Sequence, residues 1–228
     1  MKIPSIDALP GWLWWGTLAG VSLTVIGVAI GAILLARGAA DPPVAGPIIW
    51  RDAVFGWADG PQSIVEAGEG RWFSAPEPAR APSGAFTLAV RARLSAGSDL
   101  GAAWGVWLAA DDGARVVYAA SGDGYVTTRR CPAPSPADIT TCPAVRPEWR
   151  WMPYPRVAPP GEPNTITLHR EPSGAIRLRL NGEKLGAAAV AATGEWGVWV
   201  GGGRTGRAVL AWELAEMRAA SVSAARHD

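Results

Sequence analysis

Lysine is nearly absent from this chain: Lys2 and Lys184 are its two copies, and arginine carries the remaining positive charge. The 21 basic and 20 acidic residues leave a formal charge of +1, with no basic tract that would follow a nucleic acid. Histidine occurs only as His169 and His227, too far apart in sequence to point to a histidine-built metal centre. There is no G-x-S-x-G elbow, no glycine-rich phosphate loop and no Ser-His-Asp set, so neither cofactor nor metal is implied. What abounds is Ala, with 28 Gly, 20 Pro and 13 Trp. Small residues and arginine in place of lysine are what a GC-rich bacterial coding sequence produces.

Cysteine is also scarce. Cys131 and Cys142 bracket the proline-rich segment CPAPSPADITTC. A bridge would staple the base of that loop, worth roughly 3 kcal/mol in the chain-entropy picture. Two free thiols or a metal site are the alternatives, but zinc wants four ligands and the loop offers two thiols. A disulfide is the favoured reading. It would place the domain outside the cytoplasm, with the N-terminus inside.

One long run lacks charge altogether. From Gly11 to Ala36 the chain reads GWLWWGTLAGVSLTVIGVAIGAILLA. As a helix it covers about 39 Å, more than the stretch of about 20 residues that crosses a bilayer core. Asp7 is placed to cap it, and Pro10 suits a first turn. Trp12, Trp14 and Trp15 cluster at one end, as headgroup anchors do, while Arg37 and Asp41 close the other. The alternative is a cleaved signal peptide, whose apolar core is usually only about 7–15 residues. Gly16, Gly20, Gly27 and Gly31 form two G-x-x-x-G pairs, at roughly 0°, 40°, 20° and 60° around the helix, with Thr24 beside them. Such a stripe is expected to pack on another helix, in a homodimer or a hetero-complex, although glycine is also simply common in membrane helices.

Beyond the Pro/Gly-rich spacer GAADPPVAGP the signal is β throughout, and no convincing amphipathic helix appears. In AFTLAVRARL, residues Phe86, Leu88, Val90, Ala92 and Leu94 share one face. AAWGVWLAA, ARVVYAAS and YVTTRR follow across turns at Asp111-Asp112-Gly113 and Gly122-Asp123-Gly124, and read with it as an antiparallel meander. NTITLHR and AIRLRL repeat the grammar, with Ile176, Leu178 and Leu180 inward. Asn181-Gly182 is the strongest hairpin signal. EKLGAAAV, EWGVWVGG and a last strand near RAVLAWELAEMR complete the set. Trp104-Gly105-Val106-Trp107 recurs as Trp196-Gly197-Val198-Trp199. On strands, Trp104 and Trp196 read as core. Trp107 and Trp199 fall on the other face beside Gly105 and Gly197, glycines that let a ring approach closely.

This order of signals resembles the concanavalin A-like lectin/glucanase jelly roll: a Trp-containing first strand, "SGDGY", "NTITLHR", "IRLRLNGE", "WGVWVGG" and a closing strand. In particular it resembles laminin-G-like modules related to family 16 glycoside hydrolases. The resemblance covers roughly residues 48 to 217 and implies two antiparallel sheets packed face to face. Catalytic members of that family carry E-x-D-x-x-E on one strand, and this chain has no such run. Glu213 and Glu216 are three apart and on a regular strand would face opposite sides. Glu69, Glu148, Glu162 and Glu183, like Asp111, Asp112 and Asp123, read as turn or loop residues. A carboxyl pair brought together from distant loops stays open.

Ten tryptophans lie in the β region. Trp107, Tyr125, Trp151 and Trp199 are the candidates for a platform that stacks a sugar or a partner, with sandwich core as the competing assignment. Arg129, Arg130, Arg146, Arg150 and Arg156 mark a basic loop, either solvated or directed at anionic headgroups or an acidic partner. The expected organisation is a short segment over 1–10, a transmembrane helix over 11–37, a linker over 38–47, an all-β two-sheet jelly-roll sandwich over 48–218 and a tail over 219–228. The expected function is a non-catalytic, single-pass protein of the bacterial cell membrane. Its helix packs into a membrane complex and its extracytoplasmic sandwich is an accessory interaction domain. A tethered lectin-like module for glycans is the alternative, and a glycoside hydrolase the third.

Overall fold

The computed structural model describes residues 11–36, 46–146, 149–189 and 192–219. Asp7, Pro10, Arg37, Asp41, Glu148, the linker from 38 to 45 and the tail from 220 lie outside them. The chain separates into a helical unit and a β unit, divided between residues 42 and 43.

The helix α1 spans Gly11–Ala36. Its segment Trp14–Ile33 has a mean hydropathy of 2.0 and is long and apolar enough to cross a membrane, a test that a signal sequence also passes. Thr24 Oγ1 donates to the Gly20 carbonyl at 2.9 Å, so its hydroxyl is satisfied within the helix. A Cβ added at Gly16, Gly20, Gly27 or Gly31 would meet open space.

The β unit is a jelly-roll sandwich of two antiparallel sheets. Sheet A runs β1 (Ile48–Asp52), β13 (Ala208–Ala219), β4 (Phe86–Leu94), β9 (Asn164–Arg170), β10 (Ala175–Leu180) and β11 (Glu183–Ala189), with β2 (Gln62–Val65) also on β13. Sheet B runs β3 (Gly70–Ser74), β12 (Ala192–Gly201), β5 (Ala103–Ala110), β6 (Arg115–Ser121), β7 (Tyr125–Cys131) and β8 (Met152–Pro153). The closing strand pairs with the first, as the resemblance implies. Alternation in β4 and β10 holds as read: Phe86, Leu88, Val90, Ile176, Leu178 and Leu180 are buried between the sheets. Asn181 and Gly182 turn the β10–β11 hairpin with φ of 51° and 86°, both left-handed.

Two expectations fail. The meander does not include β4: β5, β6 and β7 pair in sequence order in sheet B, but β4 lies in sheet A, and residues 95–102 carry the chain across. Local alternation sets which side chains share a face, not which sheet a strand joins. Glu213 and Glu216 do not face opposite sides either. A register shift between Trp212 and Leu214 puts one extra residue into β13, so that Trp212 and Ala215 are both buried. Such a bulge reverses the side-chain phase beyond it. Both glutamates therefore sit on the outer face of sheet A, Glu213 paired to Arg91 at 2.7 Å and Glu216 to Arg218 at 2.6 Å.

Aromatic rings run through one end of the core. Trp50 and Trp57 each meet Trp196 edge-on, Trp57 tilts against Phe55, Phe55 stacks on Trp212 at 5.1 Å, and Trp212 meets Trp104 edge-on. Several of these indoles find an acceptor: Trp57 donates to Asp52, Trp196 to the Ala79 carbonyl and Trp212 to Ser63 Oγ. These acceptors offset the cost of taking an indole N–H out of water.

The two WGVW copies pair with each other. β5 and β12 lie antiparallel with Val106 opposite Val198, so Gly105 faces Trp199 and Gly197 faces Trp107. Each outer tryptophan thus has a glycine for its cross-strand neighbour. The Trp107 ring lies where a Cβ on Gly197 would stand, 2.6 Å from it, and that Cβ would also strike the Phe73 carbonyl. Gly197→Ala should destabilise the sandwich by about 1–3 kcal/mol through overpacking. Gly56→Ala, where a Cβ meets nothing within 4 Å, should stay within about 0.5 kcal/mol. Denaturant unfolding of the full chain in detergent, followed by tryptophan fluorescence, checks both.

Candidate functional site

Register across sheet B places its outward residues in rows. One row reads Gly70, Gly201, Ala103, Ser121. The next reads Trp72, Trp199, Gly105, Ala119, Thr127, and the third Ser74, Gly197, Trp107, Val117, Arg129. Large rings therefore stand beside small residues, and the first row is a floor almost without side chains.

A disulfide joins Cys131 and Cys142, and the loop it closes folds back over the aromatic rows. Ile139 of that loop is fully buried with Trp107, Trp199, Val117 and both cysteines in a second small core. Trp72 Nε1 donates to the Pro136 carbonyl at 2.8 Å and Trp199 Nε1 to the Ala137 carbonyl at 3.2 Å. Under the edge of this roof, the Arg115 guanidinium lies 4.5 Å from the Trp107 ring centre and 5.3 Å from that of Trp72. Burial draws the Arg115 pKa down, although the guanidinium remains charged near neutrality.

Where the roof ends, a cleft of about 740 Å³ remains over the first row. Its lining includes Ala103, Ser121 and Gly201 together with Tyr125, Trp151 and Trp199. Carboxylates enter from four separate loops, as Glu69, Asp99, Asp123 and Asp138, with Arg204 and Thr205 on the same rim. Three of them are engaged in holding the loops. Asp99 accepts from Gly101 N at 2.7 Å, Thr205 Oγ1 at 2.9 Å and Thr205 N at 3.3 Å, tying two rim loops together. Asp138 accepts from Thr140 N and Oγ1, and Asp123 from Ser121 Oγ. Hydrogen bonds from Gly101 and then Thr205 hold the Asp99 carboxyl below the usual carboxylate range. That makes it an ionised acceptor at neutral pH, the opposite of what a general acid requires. The cleft offers carboxyl oxygens, hydroxyls, backbone and ring faces. Among the described residues, no cluster of three or more His, Cys, Asp or Glu side chains is arranged to hold a metal.

The proposed platform divides. Tyr125 is 37% exposed and Trp151 half-buried, both on the cleft. Trp107 and Trp199 are only 2% and 4% exposed, so they present no open stacking face, because the stapled loop covers them. Strand parity correctly turned them away from the main core but carried no information about the roof. The basic loop also fails to form one patch. Arg129 is buried and donates to Thr127 and the Cys142 carbonyl, Arg130 pairs with Asp112, and Arg156 pairs with Glu183. Arg146 donates to the Ala187 carbonyl and lies over Trp149, while Arg150 lines a separate hollow beside Arg129. Asp99, Ser121, Arg204 and Thr205 escaped the sequence reading. A glycine-rich stretch, GGGRTG, after a WGVW strand was the available hint.

No family model matches the chain, and no curated protein matches it in sequence. Solved structures resemble it in fold. A carbohydrate-binding module from Bacillus subtilis aligns at 10% identity and a TM-score of 0.49, over 77% of this chain and 93% of its own. A Caenorhabditis elegans galectin aligns at 11% and 0.43, over 70% and 96%. A Bacillus licheniformis β-glucanase aligns at 7% and 0.42, over 69% and 78%. These likenesses concern overall shape, and the function of the chain is not read from them.

Replacing Cys131 and Cys142 together by alanine should cost about 2–4 kcal/mol. It should also raise acrylamide quenching of tryptophan fluorescence in the native state, as Trp72, Trp107 and Trp199 lose their cover. Unchanged quenching would show that the roof stays closed without its staple.

Proposed function

We propose that the sandwich is a non-catalytic glycan-binding module tethered to a membrane by α1. The observation that carries this reading is the cleft over the first row of sheet B. Its floor of Ala103, Gly201 and Ser121 lets a flat, polyhydroxylated ring approach the sheet. Tyr125 and Trp151 offer ring faces, and Glu69, Asp99 and Asp123 offer acceptors for hydroxyl groups. The engagement of Asp99, Asp123 and Asp138 in holding their own loops supports binding over bond cleavage. The similar solved structures include binding modules and hydrolases alike and do not enter this choice.

The test is a glycan array probed with the full chain in detergent. Binding to at least one glycan is expected, with Tyr125→Ala and Trp151→Ala each lowering affinity roughly tenfold and Tyr125→Ala leaving thermal stability unchanged. An array without signal, or binding indifferent to both substitutions, would remove the cleft from the function.

A second reading concerns α1. Gly16, Gly20, Gly27 and Gly31 meet nothing within 4 Å, so side chains added there disturb no packing of this chain's own. The open groove supports docking on a neighbouring membrane helix, its own copy or another subunit, with the sandwich as an accessory domain outside the cytoplasm. Gly20→Leu with Gly27→Leu should therefore abolish association in mild detergent without changing the sandwich's unfolding. Association that survives both substitutions argues the groove faces lipid.

A further inference from the structure

Arginines concentrate on the outer face of sheet A, and carboxylates on the cleft rim of sheet B. Outward on sheet A stand Arg51, Arg91, Arg93, Arg177, Lys184 and Arg218, each at least one-third exposed. The carboxylates set among these arginines are Glu213, shared by Arg91 and Arg93 at 2.7 and 3.7 Å, Glu216, shared by Arg218 and Arg51 at 2.6 and 3.8 Å, and Glu171 beside Arg177. Five arginines thus share three carboxylates, and Lys184 stands exposed beside them. Between them the face is flat and small, with Ala89, Thr165 and Thr167 in register across β4 and β9. On the opposite sheet the cleft rim holds Glu69, Asp99, Asp123 and Asp138 against Arg204. The whole chain is only +1, so this is a separation of charge and not an excess of it.

Exposed ion pairs of this kind contribute little to stability, so folding does not account for the cluster. A guanidinium shared with another on one carboxylate keeps donors available, and its planar fork fits a phosphate bidentately. The chain itself brings a phosphate-bearing surface close. α1 has the length and hydropathy of a membrane span, and β1 begins only twelve residues after its end. We propose that the outer face of sheet A docks on an anionic bilayer through arginine–phosphate contacts, which turns the acidic cleft of sheet B away from the lipid. This rests on α1 entering that bilayer and is independent of what the cleft binds.

The test uses the native full chain reconstituted in nanodiscs of phosphatidylcholine alone or with phosphatidylglycerol added. Arginines are modified with phenylglyoxal and read by mass spectrometry. In the anionic discs Arg91, Arg93 and Arg177 should react several-fold more slowly than in neutral ones, and high salt should restore their reactivity. Arg71 and Arg80, which pair with Asp59 and Glu195 elsewhere on the molecule, should react equally in both. Equal labelling of Arg91, Arg93 and Arg177 in the two discs overturns the docking. Protection that needs an added soluble polyanion such as a nucleic acid, and not anionic lipid, overturns it too. A chain that enters neither disc overturns the premise about α1 and the docking with it, and that failure shows at reconstitution, before any labelling.

Discussion

The pairing of the two WGVW copies across β5 and β12 is the contact on which the sandwich and its site both depend. Centred on Val106 and Val198, it sends one tryptophan of each copy into the space between the sheets and the other outward. Inside, Trp104 and Trp196 join the run of rings that links the start of the β unit to its closing strand. Outside, each remaining indole falls opposite a glycine. The rings can then lie low against the sheet, where the Trp199 N–H donates to a carbonyl of the passing loop and the Trp107 N–H to the Val198 carbonyl of the adjacent strand. A single register slip would point the wrong tryptophan at each layer, since side chains alternate with a period of two.

That outward pair explains why the disulfide loop lies where it does. An apolar patch of three indoles on a sheet surface would otherwise face water. The loop from Cys131 to Cys142 covers it, contributes Ile139 to a second core, and takes the indole protons of Trp72 and Trp199 on its carbonyls. The cleft is what this cover leaves open. It sits over Gly201, Ala103 and Ser121, the small residues of one row of sheet B, and its rim is assembled from loops that Asp99, Asp123 and Asp138 hold in shape. Packing and site are therefore consequences of one arrangement: large residues under the roof, small residues beyond it.

Charge follows the same division into faces. Arginines alternate with apolar residues along β4 and β10, so the inward half of each strand makes core and the outward half makes a basic surface on sheet A. The bulge in β13 brings Glu213 and Glu216 onto that same surface, where they neutralise neighbouring arginines instead of forming a buried or catalytic pair. The acids near the cleft come instead from the turns and loops that form its rim.

Period-two alternation, turn chemistry at Asn181-Gly182 and the repeat of WGVW were enough to determine most of the strands, the inward faces of β4 and β10 and the side of the sheet on which the four WGVW tryptophans stand. They work because they depend only on neighbours along the chain. What lay beyond them were the crossing of the chain from sheet A to sheet B between β4 and β5, the phase reversal in β13, the burial of Trp107 and Trp199 and the meeting of Glu69, Asp99, Asp123 and Asp138. Each of these depends on segments distant in sequence coming together, and alternation along a strand says which way a side chain points but not what arrives to cover it.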